Sequence, residues 1–423
     1  MGDKEFFTRL FKAAIQAADP ERIVAAHLPS KPKGRTIVIG AGKGSAQMAS
    51  AFEKAWSAKY GEAPLEGLVV TRYGFGAPCE YIEIIEASHP VPDAAGLVAS
   101  KRLLETVSGL TQDDLVVALI SGGGSALLPS PPRGMTLEDE ITVNKLLLAS
   151  GAPIAAMNAV RKHLSTIKGG RLAAAAYPAQ VYSLIVSDIP GDNPAYVASG
   201  PTVADETTRE DALKIVERYD LELPAAALAH LHSGNADAPK PSDAVFASHE
   251  HRVIASAGVS LEAAAKEARS MGVEAVILSD AVEGEAREVA HVHAALAKHV
   301  LARNQPFRKP VVILSGGETT VTVRGKGKGG RNSEFLLSLA VDIDGAEGIA
   351  AFAADTDGID GSEDNAGAFA DSTSVGRLFA KGHDASAHLN RNDAWTAFAA
   401  IDDLFVPGPT GTNVNDLRAI LVR

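Results

Sequence analysis

At 423 residues the chain is long enough for two or three domains, which excludes a single small binding module. Hydrophobic residues at 46% and charged residues at 22% describe a globular chain with a substantial core, not a disordered or fibrous one. Acidic side chains outnumber basic ones 52 to 40, a formal net charge of -12. A nucleic-acid binder carries the opposite sign, so phosphate recognition has to be local.

The opening MGDKEFFTRLFKAAIQAA mixes charges with apolar residues at helical spacing and reads as neither a secretory signal nor a transit peptide. Phe6 stands where a myristoylation signal needs Ser or Thr. The lone Cys79 has no partner for a disulfide or a cysteine metal site, which suits a reducing compartment and a role as a small buried hydrophobe. The longest uncharged stretches, Leu115 to Pro132 and Leu172 to Ser187, are broken by Gly or Pro, so neither spans a bilayer. A cytoplasmic protein without nucleic-acid or membrane partners is expected.

Short β-branched runs then alternate with longer Ala-rich amphipathic stretches, the signature of a mostly parallel sheet covered by helices. Strands are predicted at Thr36–Ile39, Gly67–Thr71, Ile82–Glu86, Leu115–Ile120 and Val181–Val186. After the first of these, GAGKGSA turns into a helix with Met48, Phe52 and Trp56 on one face. The amides of Gly42, Gly44 and Ser45 at that helix start would attract phosphate or carboxylate, with Lys43 adding a full charge. The Walker A pattern is absent. The dinucleotide fingerprint is incomplete, because Ser45 stands at the third glycine and the next strand ends in Thr71 and Arg72 instead of an acid.

After the fourth strand, Ser121-Gly122-Gly123-Gly124-Ser125 removes three successive Cβ atoms and lets backbone amides approach an oxyanion. NAVRKHLSTIKGGRLA follows, a helical run with Arg161, Lys162, Lys168 and Arg171, in which Asn158 and Lys162 share a face; His163 reads as structural. The turn SDIPGDNP brings Asp188 and Asp192 four residues apart, as a pair able to hold Mg²⁺ or to accept a substrate proton.

From Thr207 to Pro241 strand character fades, and a second αβ series begins, with the boundary placed near residue 240. Its strands are expected at Arg252–Ala255, Ala275–Leu278, Val311–Leu314, Thr319–Val323, Ile349–Phe352 and Leu417–Leu421. The stretch SGGETTVTVRGKGKGGRN supplies Gly316, Gly317 and Glu318, then Arg324, Lys326, Lys328, Gly330 and Arg331 before a helix capped near Asn332 or Ser333. Glycine-spaced cations at a helix start can close over a polyphosphate and offset transition-state charge. Further on, DTDGIDG offers Asp355, Asp357 and Asp360, and GPTGTNVNDL offers Asn415 and Asp416, for Mg²⁺ or ribose contacts; no glutamate completes a calcium loop.

Taken in this order, GAGKGSA, SGGGSALL, NAVRKHLSTIKGGRLA, SDIPGDNP, ASGPTVAD, SGGETTVTVRGKGKGGRN, DTDGIDG and GPTGTNVNDL resemble the class II glycerate kinases across essentially the whole chain. That family joins an N-terminal glycerate kinase domain to a C-terminal MOFRL domain. The resemblance implies a Rossmann-like α/β domain over residues 1–240 and a smaller α/β domain over 241–423, with the MOFRL region at about 310–420 and the active site in the interdomain cleft. It implies ATP-dependent phosphorylation of D-glycerate at its 2-hydroxyl to 2-phosphoglycerate, with Mg²⁺ or another divalent cation, and a homodimer is one possible assembly. By the same likeness, Lys43 and Arg331 match positions regarded as catalytic. Asp188 or Asp192 would take the proton or, with Asp357, hold the metal. An NAD(P)H-dependent hydroxypyruvate reductase is the alternative, with Arg72 on a 2′-phosphate and His89 as its only histidine candidate.

Overall fold

The structure, a computed structural model, describes residues 2–61, 63–204 and 206–423. It divides into two compact units, Pro20–Ile254 and Met1–Asp19 together with Ala255–Arg423.

In the first unit, β1 (Thr36–Ala41), β2 (Leu65–Arg72), β3 (Ile82–Ala87), β4 (Leu115–Ser121), β5 (Gln180–Val186) and β6 (Glu250–Ala255) form one sheet in the order β3-β2-β1-β4-β5-β6. The pairs among β1 to β5 are parallel. TIVIGA and LVVALIS are buried at every position, as strands covered on both faces must be. This strand order is that of a doubly wound sheet. Its winding reverses between β1 and β4, so the loops leaving these strands flank the crevice where such sheets take ligands. The helix Ser45–Tyr60 keeps Met48, Phe52 and Trp56 buried on the sheet.

A helical lobe is inserted between β4 and β6. Helices Leu137–Ala149, Ile154–His163, Arg209–Arg218 and Ala225–His232 share a core of Val143, Leu147, Val160, Leu164, Val216 and Leu231. Burying Val160 on this side fixes which face of Ile154–His163 is left for Asn158 and Lys162.

Two departures from the expected division have plain causes. The strand placed at the start of the second domain is β6, an edge of the first sheet, because Val253 packs on the first core and Arg252 lies 5.6 Å from the ring centre of Tyr182 on β5. The first unit therefore runs to Ile254 instead of ending near 240. The N-terminal helix, Asp3–Ala17, belongs to the second unit: Phe6, Phe7, Leu10, Phe11 and Ala14 bury against Leu261, Ala264, Ala265 and Ala268. Its apolar stripe satisfies a core distant in sequence.

The second unit is built on β7 (Glu274–Ser279), β9 (Val311–Ser315), β11 (Ile349–Asp355), β12 (Gly367–Asp371), β13 (Leu404–Phe405) and β14 (Asp416–Val422), in the order β13-β12-β11-β14-β9-β7. Only β7 and β9 pair in parallel; the other pairs are antiparallel. Strands β12 and β13 escape the sequence pattern because GAFAD and LF are too short to show a period. A separate two-residue ladder joins β8 (Gly284–Glu285) to β10 (Thr319–Thr320). The strand expected over Thr319–Val323 stops at Thr320, since the Thr322 amide donates to the Glu285 carboxylate and Val323 points to solvent. Antiparallel register sets Asp355, at the end of β11, directly opposite Asp416, at the start of β14.

Among the described residues, no helix is long and apolar enough to cross a membrane. Burial pushes the Cys79 thiol up to about 11, which keeps it protonated and unreactive.

Candidate functional site

In the loop after β1 the backbone donors are already used. The Gly42 amide donates to Val70 O at 3.1 Å, Lys43 to Gly122 O at 2.8 Å, Gly44 to Ser121 Oγ at 3.0 Å and Ser45 to Gly42 O at 3.3 Å. Gly42 sits at φ +146, with Ser121 Oγ 2.1 Å from the place a Cβ would take, so the glycine serves close packing. The predicted anion cradle at Gly42, Gly44 and Ser45 is thus filled by the protein itself; Ser121 acts as its internal ligand.

The loop after β4 is different. The amides of Gly123, Gly124 and Ser125 donate to no acceptor among the described residues, while Ala126 and Leu128 already close back onto Gly123 O and Gly124 O. Gly123 is left-handed, at φ +81, and opens the short helix Gly124–Leu127. Three groups surround this turn. Lys43 Cγ and His89 Nε2 lie 3.0 and 3.1 Å from the position of a Cβ on Gly123, and Asp188 Oδ2 lies 1.7 Å from that on Gly122. The result is a run of unused donors beside a lysine, with a carboxylate and an imidazole on its rim. Burial, then the charges of Lys43 and Arg72, press the His89 ring down to a pKa of about 4, so it is neutral near pH 7.

A chain of hydrogen bonds ties this turn to the helical lobe. Ser125 Oγ is 2.8 Å from Ser199 Oγ, Ser199 Oγ donates to Asn158 Oδ1 at 2.9 Å, and Asn158 Nδ2 donates to Tyr196 O at 3.1 Å. Ala198 and Ser199 are both left-handed, at φ 53 and 61, a strained pair held where the Gly169 amide donates to Ser199 O and the Gly170 amide to the following Gly200 O. Lys162 is fully buried with its ammonium 5.0 Å from the Tyr196 ring centre, and burial lowers its pKa to about 7. The other cations of that helical run are structural. Arg161 donates to Asn144, Lys168 pairs with Glu140 at 2.7 Å, and Arg171 caps the carbonyls of Lys162, Lys168, Ala236 and Asp237. His163, as expected, is structural, with its ring nitrogens against Ala236 O and Thr207 O.

In the second unit, Arg331 is enclosed by acids. Its Nε bonds both oxygens of Asp416 at 2.9 and 3.0 Å, Nη2 bonds Asp355 at 2.6 Å, and among the described residues Nη1 has only the exposed Glu318, at 3.4 Å. Buried Arg418 also pairs with Asp416, at 2.6 Å. Burial opposes the Arg331 charge, but Asp416, Asp355 and Glu318 outweigh it and raise its pKa. Burial and the adjacent Asp416 push Asp355 well above the usual carboxylate range, against the pull of Arg331. Sequence motifs named Arg331, but the Asp355 to Asp416 pairing that holds it arises only from the register of β11 and β14.

The helix behind Arg331 spans Arg331–Asp342, and its first amides are not open to phosphate either. Buried Asp360 accepts from Asn332 N at 2.9 Å and from Ser333 N at 2.8 Å, and so caps a helix predicted to be capped by Asn332 or Ser333. The glycine-lysine segment is strapped down: Arg324 and Gly325 donate to Asn392 Oδ1, Gly327 to Arg391 O, and Lys328 to Asp393 Oδ1. Gly317 packs on Val282 and Gly330 on Asp360. Lys326 and Lys328 are exposed, the latter 3.2 Å from Glu363. Asn415 is left-handed, and its carbonyl accepts from Thr356.

No group of three or more His, Cys, Asp or Glu side chains among the described residues is arranged to hold a metal ion. Asp188 and Asp192 belong to the first unit and Asp357, whose carboxylate caps the Ile359 amide at 2.8 Å, to the second. None of these three aspartates belongs to such a group among the described residues.

Residues 6–232 match a family model described as a domain of unknown function, DUF4147, and residues 311–416 match the MOFRL family. The chain is 52% identical to an Agrobacterium vitis protein that carries the provisional name hydroxypyruvate reductase, over 99% of this chain and 94% of that one. It is 38% identical to the D-glycerate 2-kinase of Thermotoga maritima, over 98% and 97%. The crystal structure of a Thermotoga maritima glycerate kinase superposes with a TM-score of 0.89 at 38% identity, covering 99% of each chain. The two family matches in sequence, and the full-length likeness to glycerate 2-kinase, show that the chain belongs to the class II glycerate kinase family, with a C-terminal MOFRL domain.

Proposed function

We propose that this chain is an ATP-dependent glycerate 2-kinase that transfers the γ-phosphoryl group of ATP to the 2-hydroxyl of D-glycerate, releasing 2-phosphoglycerate and ADP. The observation that carries the reading is the unused donor row of Gly123, Gly124 and Ser125 beside Lys43, an oxyanion nest in a protein of net charge -12. The glycerate carboxylate fits this nest. The helix start after β1, the other position expected for it, has its amides occupied.

Phosphoryl transfer asks little covalent chemistry of a protein, so positioning and charge supply most of the acceleration. Lys43 offsets charge on the transferring group. Arg331, assigned to the same step by the family likeness, has one loosely held nitrogen, Nη1, which meets a phosphate oxygen once Glu318 gives way. Asp188 and Asp192 contribute from the turn after β5, Asp188 by orienting the hydroxyl beside Gly122. Asn158 and Lys162 hold the nest from below through Ser199 and Tyr196. A divalent cation bound to the triphosphate would offset part of its charge.

The reductase reading is carried by a relative's name, and the site gives it little support. Its dinucleotide turn would be Gly42 to Ser45, whose amides are satisfied, and β2 ends in Thr71 and Arg72 without the acid that holds a ribose. ADP release from D-glycerate, Mg²⁺ and ATP, set beside NADH oxidation with hydroxypyruvate, separates the two.

A further inference from the structure

His89 lies beside the oxyanion nest. Its imidazole is half-buried against Gly123, yet neither ring nitrogen has a hydrogen-bond partner among the described residues. Buried His163, His293 and His388 each engage both of theirs; half-buried His249 also leaves both unpaired, but only His89 of these lies against Gly123. A neutral, unpartnered ring therefore borders the oxyanion nest on the side where Lys43 lies.

Resting on the kinase reading above, we propose that His89 is a catalytic residue, the group that accepts the proton of the substrate's 2-hydroxyl. The hydroxyl oxygen bonds to the γ-phosphorus, the bond from that phosphorus to the β,γ-bridging oxygen breaks, and ADP leaves with the electron pair. The proton passes to an open ring nitrogen and from there to solvent. The environment suits the timing. Burial and the facing cations Lys43 and Arg72 keep the empty ring deprotonated, and an arriving carboxylate and triphosphate offset those cations and raise its basicity as the proton is released.

His89→Gln and His89→Asn keep a polar group and remove the base. With folding checked by thermal melts, kcat is expected to fall by about 10²-fold or more while KM for glycerate and for ATP stays within about threefold, and the acid limb of the kcat profile disappears. A kcat within about threefold of the parent in either folded variant, or a retained acid limb, overturns the assignment. NMR of labelled histidine in the unaltered protein needs no variant. The His89 ring is expected to titrate at higher pH once D-glycerate and a non-hydrolysable ATP analogue are bound, and an unmoved titration counts against the role. A parent protein that makes no ADP from glycerate removes the kinase reading itself, an outcome distinct from an active parent with an indifferent histidine.

Discussion

Asp188 occupies the space that a side chain on Gly122 would need. Its Oδ2 and Cγ lie 1.7 and 2.1 Å from the position of a Cβ there, so the glycine is what allows a carboxylate to stand against the oxyanion nest. A short acidic side chain has little freedom to retreat.

Gly122→Ala accordingly displaces either Asp188 or the turn. We expect kcat to fall by about 10²-fold, the scale of an ångström-sized misplacement, with a stability loss of about 1–3 kcal/mol from overpacking. Steady-state kinetics and denaturant unfolding on one preparation check both. An unchanged kcat would show that the Asp188 contact does not matter to the reaction.

Lys43 is half-exposed and makes no ion pair among the described residues, so its removal has little to destabilise. Lys43→Met is expected to lose turnover on the order of 10³-fold with a melting curve close to the parent's. A large drop in melting temperature would recast the lysine as structural.

Arg331 presents the opposite case. Arg331→Ala takes the paired cation from buried Asp355 and one of two paired arginines from Asp416, and a cost of about 3–5 kcal/mol is expected on unfolding, in addition to lost activity. Glu318→Ala touches only the loosely held Nη1, so it should leave stability nearly unchanged and lower KM for ATP. A raised KM would mean that Glu318 itself assists the nucleotide.

Lys162 carries a pH signature. Its folded pKa of about 7 lies below the ordinary value of 10.5, so between those values the unfolded chain binds more protons and stability rises with pH. Below pH 7 Lys162 is protonated in both states and its contribution no longer varies with pH. The melting temperature of Lys162→Met relative to the parent's should therefore fall between pH 7 and pH 10. A constant gap across that range would contradict the burial argument.

Much of the fold was legible because fully buried strands such as LVVALIS are bounded by glycine turns, and period and punctuation agree there. The loops that matter were legible for the same reason, but not which of them is open. GAGKGSA and SGGGS look alike as strings, and only the seating of Ser121 beneath Gly42 and Gly44 shows that the first has spent its donors. Asp355 and Asp416 were legible as candidates but not as partners of Arg331: they lie 61 positions apart and meet only through the antiparallel register of β11 and β14. Ser199 was legible as part of ASGPTVAD, but its link from the nest to Asn158 was not, because it depends on a left-handed backbone and on neighbours far away in sequence.

The most direct test is a product assay on purified protein supplied with D-glycerate, Mg²⁺ and ATP, with the Lys43→Met variant in parallel. One ADP per 2-phosphoglycerate is expected from the parent, and a rate lower by about three orders of magnitude from the variant. Absence of ADP together with brisk NADH oxidation on hydroxypyruvate would contradict the kinase reading.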